Sequence, residues 1–126
     1  MQRALRLLAG AGLAALLPLE AAAQDATGLN GTWTVDLTAK PGDAPYTKPM
    51  VLTLATDGSV TGSFYDSKIE AGRWKTARGR TCVSFRTTDG TGPYHTAACL
   101  AGDHVEGQTW AEHRKFLFNW NAARAN

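Results

Sequence analysis

Apolar and polar positions alternate in short runs along most of the chain, the two-residue period of strands with one buried face. The clearest run is residues 50–65, Met50-Val51-Leu52-Thr53-Leu54-Ala55-Thr56-Asp57-Gly58-Ser59-Val60-Thr61-Gly62-Ser63-Phe64-Tyr65, where two alternating segments flank an Asp-Gly turn. Parity sets the loop length. A loop of Thr56, Asp57 and Gly58 pairs Leu54 with Val60, Leu52 with Gly62 and Met50 with Phe64, placing the apolar set on one face; a one-residue slip turns it to water.

The same logic runs along the chain. Thr32 to Leu37 is a first strand with Trp33, Val35 and Leu37 on one face, followed by a long Pro- and Gly-rich loop to Pro49. Ile69 to Lys75 is a fourth strand of ambiguous facing, since Gly72 and Trp74 share one side while Ile69 and Ala71 share the other. Arg80 to Thr87 and Tyr94 to Leu100 follow, and pairing Cys82 with Cys99 sets Val83 against Ala98, Phe85 against Thr96 and Thr87 against Tyr94. The cysteine and packing registers agree, so a disulfide between adjacent antiparallel strands is predicted, worth about 3 kcal/mol. A four-residue loop, Leu100 to Asp103, leads to His104–Ala111, with Val105, Gly107 and Thr109 facing Ala98, Thr96 and Tyr94. In the last strand, Lys115 to Ala122, Phe116, Phe118 and Trp120 then face Thr109, Gly107 and Val105.

Eight consecutive strands with one apolar face each leave two open edges unless the first and last pair, so the predicted fold is all-β, an eight-stranded antiparallel up-and-down barrel. Alternate loops fall at alternate ends, which gathers the loops at 38–49, 66–68, 88–93 and 111–114 at one rim. Inward hydroxyls concentrate there, among apolar walls, as in a ligand mouth. Phe64, Thr87, Tyr94, Thr96, Thr109 and Phe116 are the candidate ligand-binding residues. The competing reading is a packed barrel whose hydroxyls only meet water at its rim.

Composition adds a compartment. Arg3 and Arg6 precede an apolar run from Leu7 to Leu19 and the small residues Ala21-Ala22-Ala23, so 1–23 reads as a secretory signal peptide, 24–30 as a flexible leader and 31–126 as the barrel domain. The apolar run is shorter than a bilayer requires, and no stable membrane anchor is expected after cleavage. Removing Arg3, Arg6 and Glu20 from 13 basic and 11 acidic residues leaves 11 against 10. That near-neutral balance points away from a nucleic-acid partner. A periplasmic or secreted location follows, where two cysteines form one bridge. Asn30-Gly31-Thr32 is also a glycosylation sequon, of little weight if the source is bacterial.

Gly31-Thr32-Trp33, the eight-strand meander and Arg124 after Trp120 resemble the lipocalin and avidin (calycin) superfamily. That resemblance implies a Gly-x-Trp strand closing one barrel end with a basic residue packed on the Trp, and hence a closure built from Trp33, Trp120 and Arg124. Residues 57–64 are similar to the second hairpin of avidin-like proteins, yet Val35 and Phe64 stand where those place an Asn and a Tyr to hold biotin, so biotin is not the expected ligand. The chain also resembles the small periplasmic metalloprotease inhibitors of bacteria, which implies a protein partner engaged through the leader, Gln24 to Leu29.

Other chemistry is thin. His95, His104 and His113 lack convergent acidic or cysteine partners, so no metal is expected. Arg86 and His95 beside Gln108 read as a solvated face with an anion site as the rarer outcome, and Thr88 to Gly92 reads as a turn because no helix follows it. No serine has a placeable histidine and acid, which leaves no catalytic residue and no cofactor to assign; an acid-base pair of Tyr94 with Arg73 or His113 is the enzyme alternative. Trp110 is predicted outward, beside Lys115, as a contact surface for a partner. The expectation is an exported, non-catalytic barrel binding a small apolar or amphipathic ligand at the long-loop end, with a protein-interaction barrel as the alternative.

Overall fold

The structure, a computed structural model, describes residues 28–126. The signal peptide read over 1–23 and residues 24–27 of the leader lie outside the described residues. Nine strands form: β1 (Gly31–Asp36), β2 (Thr47–Leu54), β3 (Ser59–Phe64), β4 (Ser67–Lys68), β5 (Glu70–Ala77), β6 (Arg80–Thr88), β7 (Pro93–Ala101), β8 (His104–Ala111) and β9 (Phe116–Arg124). Pairing is antiparallel throughout, each strand of the ring with the next along the chain, β3 with β5 across β4, and β1 with both β2 and β9. The result is a closed eight-stranded antiparallel barrel, with the two-residue β4 pairing only with β3, outside the ring. Closure removes both sheet edges.

The opening hairpin has the register that parity predicts, Met50 opposite Phe64, Leu52 opposite Gly62 and Leu54 opposite Val60. Gly62 is required at its place, since a Cβ there would lie 1.8 Å from the Val51 carbonyl oxygen. The ambiguous fourth strand is resolved by a bulge. The β5–β6 register shifts between Glu70 and Arg73, and Ala71 takes a positive φ of 52°, so Ile69 and Gly72 are both buried and Trp74 packs against the core. One extra residue flips the alternation locally and lets both expected faces be inward in turn.

Two registers differ from the sequence reading. Ala101 pairs directly with His104 across Gly102-Asp103, a two-residue turn with Gly102 at φ +66°, instead of the four-residue loop from Leu100. At the other end, Glu112–Arg114 form a 3-10 turn closed by a Lys115 N–H to Glu112 C=O bond, with Lys115 left-handed. Each difference slides the pairing by two residues, which keeps every face and changes every partner. Thr96 therefore faces Thr109, Ala98 faces Gly107, Leu100 faces Val105, and Phe116, Phe118 and Trp120 face Ala111, Thr109 and Gly107. It is Trp120, not Phe118, that covers Gly107, where a Cβ would come within 2.4 Å of the indole.

Cys82 and Cys99 face one another in the β6–β7 pair and form the disulfide. Among the described residues no helix is long and apolar enough to cross a membrane; with the disulfide, that is compatible with export. The core holds Trp33, Val35, Met50, Leu52, Val60, Phe64, Val83, Phe85, Val105 and Trp120.

The floor is sealed from below. Leu29 is fully buried, and its carbonyl accepts the Trp33 indole N–H at 3.0 Å. Arg124 sits opposite Trp33 with its guanidinium 4.2 Å from the ring centroid and donates to the carbonyls of Asn30 and, at 2.6 Å, Gly28. The Asn30 side chain accepts the Leu54 N–H at 2.6 Å. Residues 28–30, read as leader, are thus part of the barrel, and the sequon asparagine is a structural acceptor.

Candidate functional site

Opposite that floor lies a cavity of about 620 Å³. Its wall takes residues from every long loop: Ala39 and Tyr46, then Tyr65 to Ser67, then Thr88 and Asp89, then Arg114. The shared rim deduced by counting loops is therefore the rim of a real cavity. Of the six candidate residues, Phe64, Thr87, Tyr94, Thr109 and Phe116 line it and Thr96 does not. Thr96 is 1% exposed and holds Thr109 from behind, hydroxyl to hydroxyl at 2.9 Å.

Trp120, expected in the floor beside Trp33, lines the cavity instead. The two-residue slide is the reason: opposite Gly107 the indole has room to lie across β8, packed at a tilt against Phe64 with centroids 5.4 Å apart, while its N–H donates to Thr109 Oγ1 at 3.0 Å. Phe64 packs in turn on Phe85 at 5.6 Å. The deep polar atoms are paired with one another, and among the described residues no buried side-chain nitrogen or oxygen lacks a partner. A guest entering this depth meets aromatic faces and satisfied hydroxyls, so an apolar group loses nothing there and a polar one would go unpaired.

The mouth is different. Tyr94 Oη donates to Asp89 Oδ2 at 2.9 Å and accepts from Arg114 Nη1 at 2.8 Å, forming a relay from guanidinium through phenol to carboxylate. The Thr91 hydroxyl and backbone N–H, followed by Tyr94, hold the Asp89 carboxyl down at about 2, and the hydrogen bond with Tyr94 raises Arg114 above its usual value. The Arg114 guanidinium also lies 5.6 Å from the Phe116 ring centroid, and Phe116 stacks parallel on Phe118 at 5.9 Å. Across the rim the Tyr46 and Tyr65 hydroxyls share a short hydrogen bond, which together with burial raises Tyr65. Lys48 pairs with Asp66 at 2.9 Å and sits 5.2 Å from the Tyr65 ring centroid, clasping the β1–β2 loop to the β3–β4 turn. That turn is a two-residue connection with Tyr65 and Asp66 both at positive φ, 52° and 63°. For two residues with side chains this conformation costs of order 1 kcal/mol each, a strain the surrounding contacts hold in place.

Sequence reasoning missed Trp120, Tyr46, Tyr65, Asp89 and Arg114 at the cavity. Polar residues just beyond an inward strand end were the available clue, Tyr65 next to Phe64, Asp89 two residues after Thr87 and Arg114 two before Phe116, since such residues occupy the rim loops.

The remaining candidates separate. His113 packs edge-on against Tyr94 at 5.3 Å, but Arg73 lies at the opposite end, donating to the Asp57 carbonyl at 3.4 Å; the basic partner of Tyr94 is Arg114. Arg86 pairs with Glu70 at 3.3 Å, His95 faces Trp110 across the β7–β8 pair, and His104 bonds Glu106 at 3.1 Å. Among the described residues no three His, Cys, Asp or Glu side chains gather as a metal site. Trp110 is 41% exposed and faces Leu117, 58% exposed, rather than Lys115. Thr88 to Gly92 is a turn tied by its own side chains, Thr88 to Gly92 and Asp89 to Thr91. No protein-family model, no curated protein and no solved structure matches this chain.

Proposed function

We propose that this chain is an exported, lipocalin-like, non-catalytic barrel that holds a small apolar or amphipathic ligand at its long-loop end. The observation that carries the proposal is the cavity of about 620 Å³, within the range of small-molecule sites, with an internally satisfied floor and a polar rim. Phe64, Phe118 and Trp120 supply the apolar contact, Thr109 a paired hydroxyl at depth, and Thr87 and Tyr94 the polar edge. The experiment is titration with a neutral fluorescent probe, N-phenyl-1-naphthylamine, read by energy transfer from tryptophan, alongside native mass spectrometry of the protein purified from its source. Saturable one-to-one uptake that falls at least about tenfold in Thr87→Phe, which fills the cavity, is the expected result. No uptake by the wild-type protein and no co-purified ligand would overturn it.

A second reading, a barrel that contacts another protein, draws on one observation: Trp110 and Leu117 stand side by side and exposed on the outer face. Trp110→Glu would then abolish an association detectable by size-exclusion chromatography while leaving probe uptake intact. The leader-dependent form of this reading needs a truncation that stops at residue 27, because removing Leu29 takes away part of the floor.

A further inference from the structure

Resting on the proposed cavity site, we infer that its ligand is an anionic amphiphile, an apolar body carrying one carboxylate, seated with the body on Trp120 and the acid group against Arg114 at the rim. Three observations lead there. First, deep in the cavity the Trp120 N–H and the Thr109 and Thr96 hydroxyls bond one another, while Thr87 and Tyr94 lie opposite each other at the rim end of β6 and β7. The polar end of a ligand must stay at the mouth.

Second, the charges at that mouth are unequally occupied. Asp66 is ion-paired with Lys48, and Asp89 accepts from the Thr91 N–H, the Thr91 hydroxyl and Tyr94. Arg114, by contrast, makes one side-chain hydrogen bond among the described residues, to the Tyr94 phenol, and meets the Asp89 carboxylate only across that phenol, without a direct ion pair. A guanidinium has five N–H donors in a planar fork, and Arg114 is exposed and lines the cavity, so donors remain for a carboxylate, which a guanidinium can hold by two parallel bonds. Third, two aromatic faces of the rim, Tyr65 and Phe116, already carry the protein's own cations, Lys48 and Arg114. A ligand cation would meet like charge at both places.

The test compares matched pairs that differ only in charge: 2-naphthoate against 2-naphthamide, and decanoate against decanamide, by isothermal titration calorimetry and by displacement of the neutral probe. In the wild-type protein each acid binds at least about tenfold more tightly than its amide, the range of a charge-assisted hydrogen bond. Arg114→Gln brings acid and amide to within about twofold, weakening the acid more than the amide; Arg114→Lys restores part of the preference. The two pairs tell an aryl body from an alkyl one, and preference in either supports the inference. Equal binding of acid and amide to the wild type, a preference that survives Arg114→Gln, or uptake of the neutral probe with none of the four compounds would overturn it while leaving the cavity reading intact. Failure of the neutral probe as well would remove both.

Discussion

At the floor of the barrel Arg124 lies over Trp33 and donates to the backbone carbonyls of Gly28 and Asn30; at the mouth Arg114 lies over Phe116 and donates to the Tyr94 hydroxyl. The residue types match but the surroundings do not. Arg124 spans two acceptors fixed by the chain's own entry into β1, above a ring that is 1% exposed, so the arrangement serves as a rivet. Arg114 has one side-chain acceptor and a ring at the rim, 36% exposed, so its remaining donors are open to a guest. What separates the structural cation from the one proposed for recognition is how many of its donors the fold itself satisfies.

The sharpest break of that contrast is truncation of the two rings. Trp33→Ala should lower unfolding free energy by about 3–5 kcal/mol in urea titrations, because the indole is enclosed by Leu29 and Arg124. Phe116→Ala should cost under about 1 kcal/mol, since its ring is only partly covered. A smaller loss in Trp33→Ala than in Phe116→Ala would reverse the assignment of floor and mouth.

Next in size is the bridge between β6 and β7. Replacing Cys82 and Cys99 together by serine should cost about 3 kcal/mol, the chain-entropy value for a link spanning a loop of this length, with 17 residues of separation. Probe uptake at a temperature where the variant remains folded should be unchanged, because neither cysteine lines the cavity.

Gly107→Ala tests the coupling of wall and cavity. The added methyl would meet the Trp120 indole at 2.4 Å and push it toward the cavity, costing about 1–3 kcal/mol and weakening probe uptake more than an outer-face change such as Gln108→Ala.

The smallest effect is electrostatic and confined to the mouth. Asp89 has a folded-state value of about 2, below the ordinary 3.8, so its contribution to stability is complete above about 3.8 and disappears as pH falls toward 2. Asp89→Asn should flatten that part of the stability-against-pH curve and leave the floor's response unaltered; an unchanged slope between pH 4 and 2 would show that the carboxylate bonds do not persist in solution.

The opening hairpin and the β6–β7 pair were fully legible, because in each an independent constraint, the Asp-Gly turn or the cysteine pair, agreed with the alternation. The β8 and β9 partners were not. Alternation is blind to a slide of two residues, and the deciding features were backbone conformations, Gly102 at φ +66° and Lys115 at φ 50°, which fix the lengths of the two turns. The misplacement of Trp120 follows directly from that, as does the unforeseen Trp120–Thr109 bond. Ala71 was opaque for a related reason, since an alanine with positive φ carries no mark in the sequence that a bulge begins there.

By itself the sequence determined the two faces of every strand except β5, the antiparallel order, the disulfide and which loops share a rim, consequences of a period of two, of chain direction and of the cysteine register. Only the tertiary structure decided which side chains meet, that Leu29 and Arg124 close the floor, and that a cavity remains between Trp120 and the rim. Those depend on turn geometry and on volumes summed across strands distant in the chain, quantities that no local pattern of apolar and polar residues contains.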